Sequence, residues 1–535
     1  MLGERPVRAT AVDAADEAAP GRPVTTPWRD PVVWGIATIS FGAYFAISLF
    51  KLLRLTPSTY DLGIFTEFVK QLSQLHAPTV DMLHAGLNLE GDHFQIAVGV
   101  LAPFFRIFPT PATLLFFQAL LTAVSVFPVA GAARALTGRS TGRLIAFAYA
   151  FSWGLQQMNE FEFHEIALAV PLLAFCLSAL VRRRPMAAIG WAMPLVFVKE
   201  NQGFTLAAIG GLLMVSAAFP AVLPGGAPAP ASAPPADGGR GGRRPRDYHQ
   251  VALWGGVFLV CWGLFWSTLA ITVIIPHFNP LHAYRFWNMA GGDLGSGKQF
   301  SVGALLVQAG GGWPVKGPTL VLLLLPTAFV ALGSPVVLLV LPDVALRFIS
   351  TDPSYWGTAW HYNATVMPIL FIAAAEALGR WRRAHALAWP PPGGGGRARE
   401  LLHAAQVAAV RHGGAVMAAV TVALCFQFPV SGLWRASTYR LDAHVAAADA
   451  AMAVVPDGAT VLTNLDLLAP LAARTDTFWF GAKGNPLTEY IVFDGDDSGY
   501  SPPVTNVPRL IATWYKNDGY VQVFARDNVY VYRRG

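Results

Sequence analysis

The chain has 535 residues, 54% of them hydrophobic and only 13% charged, with a net charge of +6 and a mean hydropathy of +0.44. A soluble domain carries about 25% charged residues, so this balance excludes an ordinary soluble enzyme, and the recurring apolar runs point to a polytopic helical membrane protein. The basic residues gather in a few short loops, which reports membrane topology and argues against a nucleic-acid partner.

In chain order, residues 1–31 mix charge with Ala and Pro and lack an apolar core before a cleavage site, so they read as a disordered cytoplasmic tail and not as a signal peptide. A first span is expected over 33–53, then a polar stretch over 54–93. Further apolar segments lie near 94–108, 112–133, 144–158, 166–181, 187–199, 203–219, 251–275, 318–332, 335–349, 362–378 and 413–429. Several fall short of the roughly 20 residues that cross a bilayer comfortably, which is tolerable where the bilayer thins or helix ends line a wet cavity. Cys176, Cys261 and Cys425 all sit inside these runs, as inert thiols do, and imply neither disulfides nor a metal pattern.

Four arginine clusters set the orientation: Arg134 to Arg143, Arg182 to Arg184, Arg240 to Arg246, and Arg380 to Arg411. The positive-inside rule puts all four in the cytoplasm, provided that 94–108 does not cross alone. That segment is therefore expected to be a re-entrant or interfacial helix beside about eleven true spans. The fold class is then an all-α polytopic membrane domain over 32–430, with low-complexity cytoplasmic linkers at 221–250 and 384–411. Residues 431–535 change character. "ATVLTN", "DTFWF", "EYIVFD" and the final hairpin read as strands, and 440–454, 465–473 and 507–517 as helices. This predicts a small extracytoplasmic α/β domain without a Gly-rich phosphate loop.

The same topology carries the loops 54–93, 159–165, 199–202, 276–317 and 350–361 to the outer face. "MNEFEFHEIAL" puts Glu160, Glu162, His164 and Glu165 between two apolar runs. Extended, Glu160, Glu162 and His164 share a face; as a helix, Glu162 meets Glu165 and Glu160 meets His164. Either arrangement suits a divalent cation such as Mn or Mg, or proton transfer; a solvated loop is the plain alternative. Tyr60 and Asp61 follow the first span, Asp92 and His93 precede an apolar segment, and Lys199, Glu200 and Asn201 separate two runs with almost no loop. His361 and Tyr362 open another span, where an interfacial anchor is the plain reading. A charge at a span's centre costs roughly 2.5–3.5 kcal/mol. Five loops on one face, each bringing acid, base or amide groups to the boundary, predict a single polar cavity open to the outside. Its expected users are a charged amphiphile and a polar co-substrate.

"YDLGIFTEFVKQL", "GDHFQIAVGVLAPFFRIFPTPATLLFFQALL", "NEFEFHEIALAVPLLAF", "FVKENQGFTLAAIG" and "WHYNATVMPILFIAAAEAL" resemble the bacterial membrane family named domain of unknown function 2079. The family's "FDFHPEAL" stands here as "FEFHEIAL". That family in turn is similar to the GT-C superfamily of membrane glycosyltransferases, which use polyprenyl-phosphate sugars on the outer face. The resemblance implies an acidic catalytic residue just after the first span, matched by Asp61. It also implies acids from a second outer loop that could hold a metal, matched by Glu160, Glu162 and Glu165. The expected partners are membrane lipid, a polyprenyl-phosphate sugar donor and a cell-envelope acceptor, in a cell-membrane protein with its N-terminus inside and C-terminus outside. A transporter or lipid flippase using Lys199 and Glu200, and a non-catalytic anchor for the terminal domain, are the alternatives.

Overall fold

The computed structural model describes residues 26–57, 59–222, 245–286, 302–387, 397–497, 499 and 502–535. The first helix, α1 (Pro31–Leu53), starts where Asp30 accepts from the Val32 amide and Pro31 takes the first helical position, the arrangement that spares an unpaired N–H. Asp30 is almost fully buried and shared by three arginines, with Arg143 at 2.7 Å, Arg134 at 3.4 Å and Arg139 at 3.5 Å. Just before it, the Trp28 ring stacks on Phe127 at 4.1 Å. The end of the expected tail is therefore ordered against the helices, because Trp28 buries an aromatic face there; residues 1–25 lie outside the described residues.

A short helix, α2 (Asp61–Ser73), follows α1. Residues 96–107 form a 3-10 turn and a short helix, Ile96–Leu101 and Ala102–Ile107, about 21 Å in all at about 2.0 Å per residue in the first and 1.5 Å in the second. Next come α3 (Pro111–Thr137), α4 (Arg139–Ala150), α5 (Trp153–Phe161), α6 (Ile166–Val181), α7 (Gln202–Ala218) and α8 (Pro245–Leu269). The helices α9 (Leu341–Phe348), α10 (Val366–Leu387) and α11 (Arg397–Cys425) complete the apolar body used below. Large side chains such as Tyr44, Tyr149, Trp153 and Phe371 are fully buried between these helices. α7 and α8 cross glycine on glycine: a Cβ on Gly203 would lie 2.2 Å from the Gly263 carbonyl oxygen, and one on Gly210 would lie 2.5 Å from that of Gly256. Small residues at such crossings let two backbones touch.

Among the described residues, four helices are long and apolar enough to cross a membrane: Pro31–Leu53, Pro111–Thr137, Tyr248–Phe278 and Glu400–Cys425. The count of about eleven is not reached on that criterion, since Ile166–Val181 and Gln202–Ala218 are shorter and the segment 318–349 is broken into short turns. The two linkers are also shorter than expected. α8 begins at Pro245 and α11 at Arg397, because 397–411 is rich in Arg, Glu, Leu and Ala, all strong helix formers; 223–244 and 388–396 lie outside the described residues.

The C-terminal part is a five-stranded sheet ordered β2-β1-β3-β5-β4. The strands β1 (Thr460–Thr463), β2 (Asp476–Trp479) and β3 (Tyr490–Asp494) run parallel, while β5 (Val529–Arg534) is antiparallel to β3 and to β4 (Tyr520–Arg526). The β4–β5 turn puts Asp527 and Asn528 at φ of +48° and +58°, the left-handed pair that a tight hairpin needs. The helices α12 (Ala443–Ala453), α13 (Leu465–Ala472) and α14 (Val507–Trp514) cover the sheet. α13 docks on α2: Leu468, Ala469 and Ala472 join the core of the helical body, and Lys70 Nζ donates to the Thr475 carbonyl at 2.6 Å. The Tyr60 ring meets Trp479 at 4.8 Å. The sheet is thus fixed beside the first residues after α1.

Candidate functional site

The stretch 158–168 is a turn between two helices. α5 ends at Phe161, Glu162 is extended, and α6 begins at Ile166. One amide from inside α3 holds it in place. Gln118 Nε2 donates to the carbonyls of Met158 at 3.0 Å and Glu162 at 2.6 Å, and its oxygen accepts from the His164 amide at 3.0 Å. Pinned this way, the Glu162 carboxylate reaches the start of α2 and accepts from the backbone N–H groups of Thr59 and Leu62, both at 2.9 Å. Those donors have no intrahelical partner, and a carboxylate there also meets the positive end of the helix dipole. Burial pushes the Glu162 carboxyl up, and the neighbouring Asp61 charge pushes the same way; the two amides oppose, and the balance is about 7.

Asp61 is the first residue of α2, held by the cap that Glu162 provides. Its own amide donates to Thr59 Oγ1 at 3.1 Å. Burial raises the Asp61 carboxyl, opposed by the charges of His164 and Lys199 and by the Thr59 hydroxyl. The remaining ionisable groups of the turn divide. Glu160 pairs with Lys51 of α1 at 2.9 Å. His164 touches the Glu165 carboxylate and stacks on His361 with ring centroids 3.4 Å apart. Glu165 takes Lys199 Nζ at 2.7 Å.

Beyond Lys199 lies a cavity of about 210 Å³. His93, Lys199, Glu200, Asn201, His361 and Tyr362, which the sequence offered from three separate loops, all line it. Glu200 ties the walls together: its carboxylate accepts from His93 Nδ1 at 2.8 Å, the Phe94 amide at 3.2 Å and the Tyr284 hydroxyl at 2.9 Å. Asp61, Tyr60 and Asp92 stand outside the lining: the Asp61 carboxyl feels the charges of His164 and Lys199, Tyr60 packs on Trp479, and Asp92 pairs with Arg285 at 3.2 Å.

The four expected metal ligands, Glu160, Glu162, His164 and Glu165, do not form one donor set. Each carboxylate is already committed, to Lys51, to two backbone amides and to Lys199 respectively, and among the described residues no three His, Cys, Asp or Glu side chains are grouped to hold a metal ion.

Sequence reasoning missed Gln118 and Arg347. Arg347, on α9, is buried and lines the cavity. It donates to the carbonyls of Tyr355, Gly357 and Tyr362 and to Asn363, and lies 3.8 Å from Asp343. It thereby fixes the loop that carries Tyr355, His361 and Tyr362. Its signal was in "PDVALRFIS": an Asp and an Arg four apart inside an apolar run, a pair too costly to face lipid.

Fold and site together define a helical membrane protein with a polar, charge-lined cavity beside a small docked α/β domain. The chain belongs to the family described as predicted membrane protein (DUF2079), whose profile matches residues 51–527. Among solved structures, it is similar to ArnT from Cupriavidus metallidurans bound to undecaprenyl phosphate, at 15% identity and a TM-score of 0.49, over 94% of this chain and 97% of that one. It is also similar to the apo oligosaccharyltransferase of Archaeoglobus fulgidus, at 12% identity and a TM-score of 0.39, over 95% of this chain and 75% of that one. No curated protein matches it.

Proposed function

We propose that this protein is a membrane glycosyltransferase that moves a sugar from a polyprenyl-phosphate donor to an acceptor on the outer membrane face, with Asp61 as the general base. What supports this reading is a carboxyl raised by burial at a capped helix start, which feels the charge of Lys199, together with the pocket that Lys199 lines, which holds an ammonium, two imidazoles and three tyrosines. A base works best when its carboxyl titrates nearer the working pH than a free Asp does, and burial moves Asp61 that way.

In this reading Asp61 takes the proton of the acceptor hydroxyl as that oxygen bonds to the anomeric carbon. The bond from that carbon to the phosphate oxygen breaks, and the electron pair leaves on the lipid phosphate. The inverted sugar follows from single displacement. Lys199 faces the leaving phosphate, since fixed positive charge helps most where negative charge develops. Glu162 is a positioning residue, because it holds the helix start that presents Asp61. Glu200 and Arg347 keep the cavity's loops in register. A topology of about eleven spans beside a re-entrant or interfacial helix, with the N-terminus inside and the α/β domain outside, belongs to the same proposal.

The test is photocrosslinking with a polyprenyl-phosphate sugar that carries a reactive group on its first isoprene. Adducts on peptides bearing Tyr355 to Tyr362 or Lys199 to Phe204, lost in Lys199→Met, are expected. Adducts confined to the exposed outer faces of α1 or α8 would overturn the assignment.

A further inference from the structure

A second concavity lies on the other side of the Glu162 turn. It is an open groove of about 750 Å³ between the outer end of α1, the turn end of α5 and the segment 427–438. Its walls are fixed by specific contacts. The Val430 amide donates to Gln156 at 3.0 Å, and Phe50 meets Tyr439 edge to face at 4.9 Å.

Three cations line it, Lys51, Arg54 and Arg435, against one carboxylate, Glu160. Lys51 and Glu160 neutralise each other at 2.9 Å. The guanidinium groups of Arg54 and Arg435 make no hydrogen bond or ion pair among the described residues, and neither do the side-chain amides of Gln157 and Gln427 or the hydroxyls of Thr358 and Ser431. Two guanidinium groups that face the groove without a protein partner, beside amides and hydroxyls that do the same, are the recognition chemistry of an anion that also carries hydroxyls: the fork of an arginine matches phosphate oxygens, and the neutral groups match alcohols.

The groove also borders residues of the site already described. Lys51, Thr56 and Glu160 line both it and a small void that contains Thr59, Tyr60 and Glu162. Thr358, in the groove wall, sits three residues from Tyr355 and His361, which line the inner cavity. The loop fixed by Arg347 thus supplies residues to both linings.

We infer that this groove binds a hydroxylated phosphate ester and holds it as the acceptor of the transfer reaction. The acceptor role rests on the transferase reading, whereas the binding does not. A phosphorylated sugar and a glycerol-phosphate lipid headgroup share this chemistry.

The full-length protein in detergent, wild type and Arg54→Gln/Arg435→Gln, is titrated with glucose 6-phosphate and with glucose by thermophoresis. In parallel, adducts of phosphatidylglycerol and of phosphatidylcholine are measured by native mass spectrometry. Loss of both guanidinium contacts is expected to weaken one of the two anionic probes roughly tenfold or more, with glucose and phosphatidylcholine unaffected. Response to the sugar phosphate identifies a glycan source, and response to phosphatidylglycerol a lipid source. Arg54→Lys/Arg435→Lys should recover part of the affinity, which a merely misfolded groove would not. If neither anionic probe separates wild type from the double variant, the groove is not an anion site. Asp61→Asn keeps the two claims apart, since it should leave this binding intact whatever becomes of transfer. If binding depends on Arg54 and Arg435 but Asp61→Asn transfers sugar normally, the transferase reading falls and the anion site stands.

Discussion

Replacing Glu162 by Gln separates what this side chain does for stability from what it does for Asp61. The carboxylate accepts two backbone N–H groups at 2.9 Å while almost completely buried. A carboxamide oxygen can accept from one of them, and its NH2 must face the other. An unsatisfied buried donor costs about 1–3 kcal/mol. The proton linkage works in the opposite direction. Burial raises the folded carboxyl from 4.5 to about 7, so the folded state binds the proton more tightly than the unfolded chain. The stability from this group is full below 4.5 and is lost as pH rises through about 7, a change of about 3 kcal/mol. Gln cannot titrate and shows no such loss. At pH 4.5 the wild-type carboxyl is itself protonated and meets the second amide as a carboxamide does, so Glu162→Gln should lie within about 1 kcal/mol of wild type there and gain about 3 kcal/mol on it by pH 8. Sugar transfer should nevertheless fall at pH 8, because the start of α2 is no longer gripped from both amides. Thermal unfolding in detergent from pH 4.5 to 8, followed by tryptophan fluorescence, reads the first effect, and transfer at pH 8 the second. Parallel pH curves for the two proteins would refute the titration argument, and undiminished transfer would refute the positioning role.

Other expectations concern the scaffold. Gly263→Val puts a side chain where a Cβ already lies 2.4 Å from the Gly203 carbonyl oxygen; overpacking of about 1–3 kcal/mol should lower the unfolding temperature, with Gly263→Ala milder. Asp30→Ala removes the helix cap of α1 and the acceptor shared by Arg134, Arg139 and Arg143; a loss of about 2 kcal/mol is expected, measured as the same shift in unfolding. Trp479→Ala removes the ring on Tyr60, a contact worth about 1 kcal/mol beyond area. The C-terminal domain should then be released faster by limited proteolysis, and transfer should drop because Tyr60 adjoins Asp61.

The strands and helices of the C-terminal part were legible because each has its own period and turn signal. "EYIVFD" became β3 and the last pair a hairpin. α6 begins and ends where its apolar run does, 166–181. Charges that cannot face lipid were expected at one cavity, and His93, Lys199, Glu200, Asn201, His361 and Tyr362 do line one, whereas Asp61, Glu162 and His164, expected there too, do not. What the sequence hid was pairing across distance. Lys51 lies 109 residues from Glu160, so the acids of "NEFEFHE" looked free for a cation when they were already matched. Gln118 is a single amide in an apolar run, and Arg347 spends itself on backbone carbonyls, which carry no sequence signal. The span count was hidden because the helices around the cavity are short and broken, and hydropathy does not say which of them cross.

The measurement that tests the central claim most directly is single-turnover transfer of labelled sugar by purified protein in liposomes at saturating donor, with wild type compared with Asp61→Asn. The account predicts a fall of about 100-fold or more with donor affinity unchanged. Transfer at the wild-type rate by Asp61→Asn would contradict it.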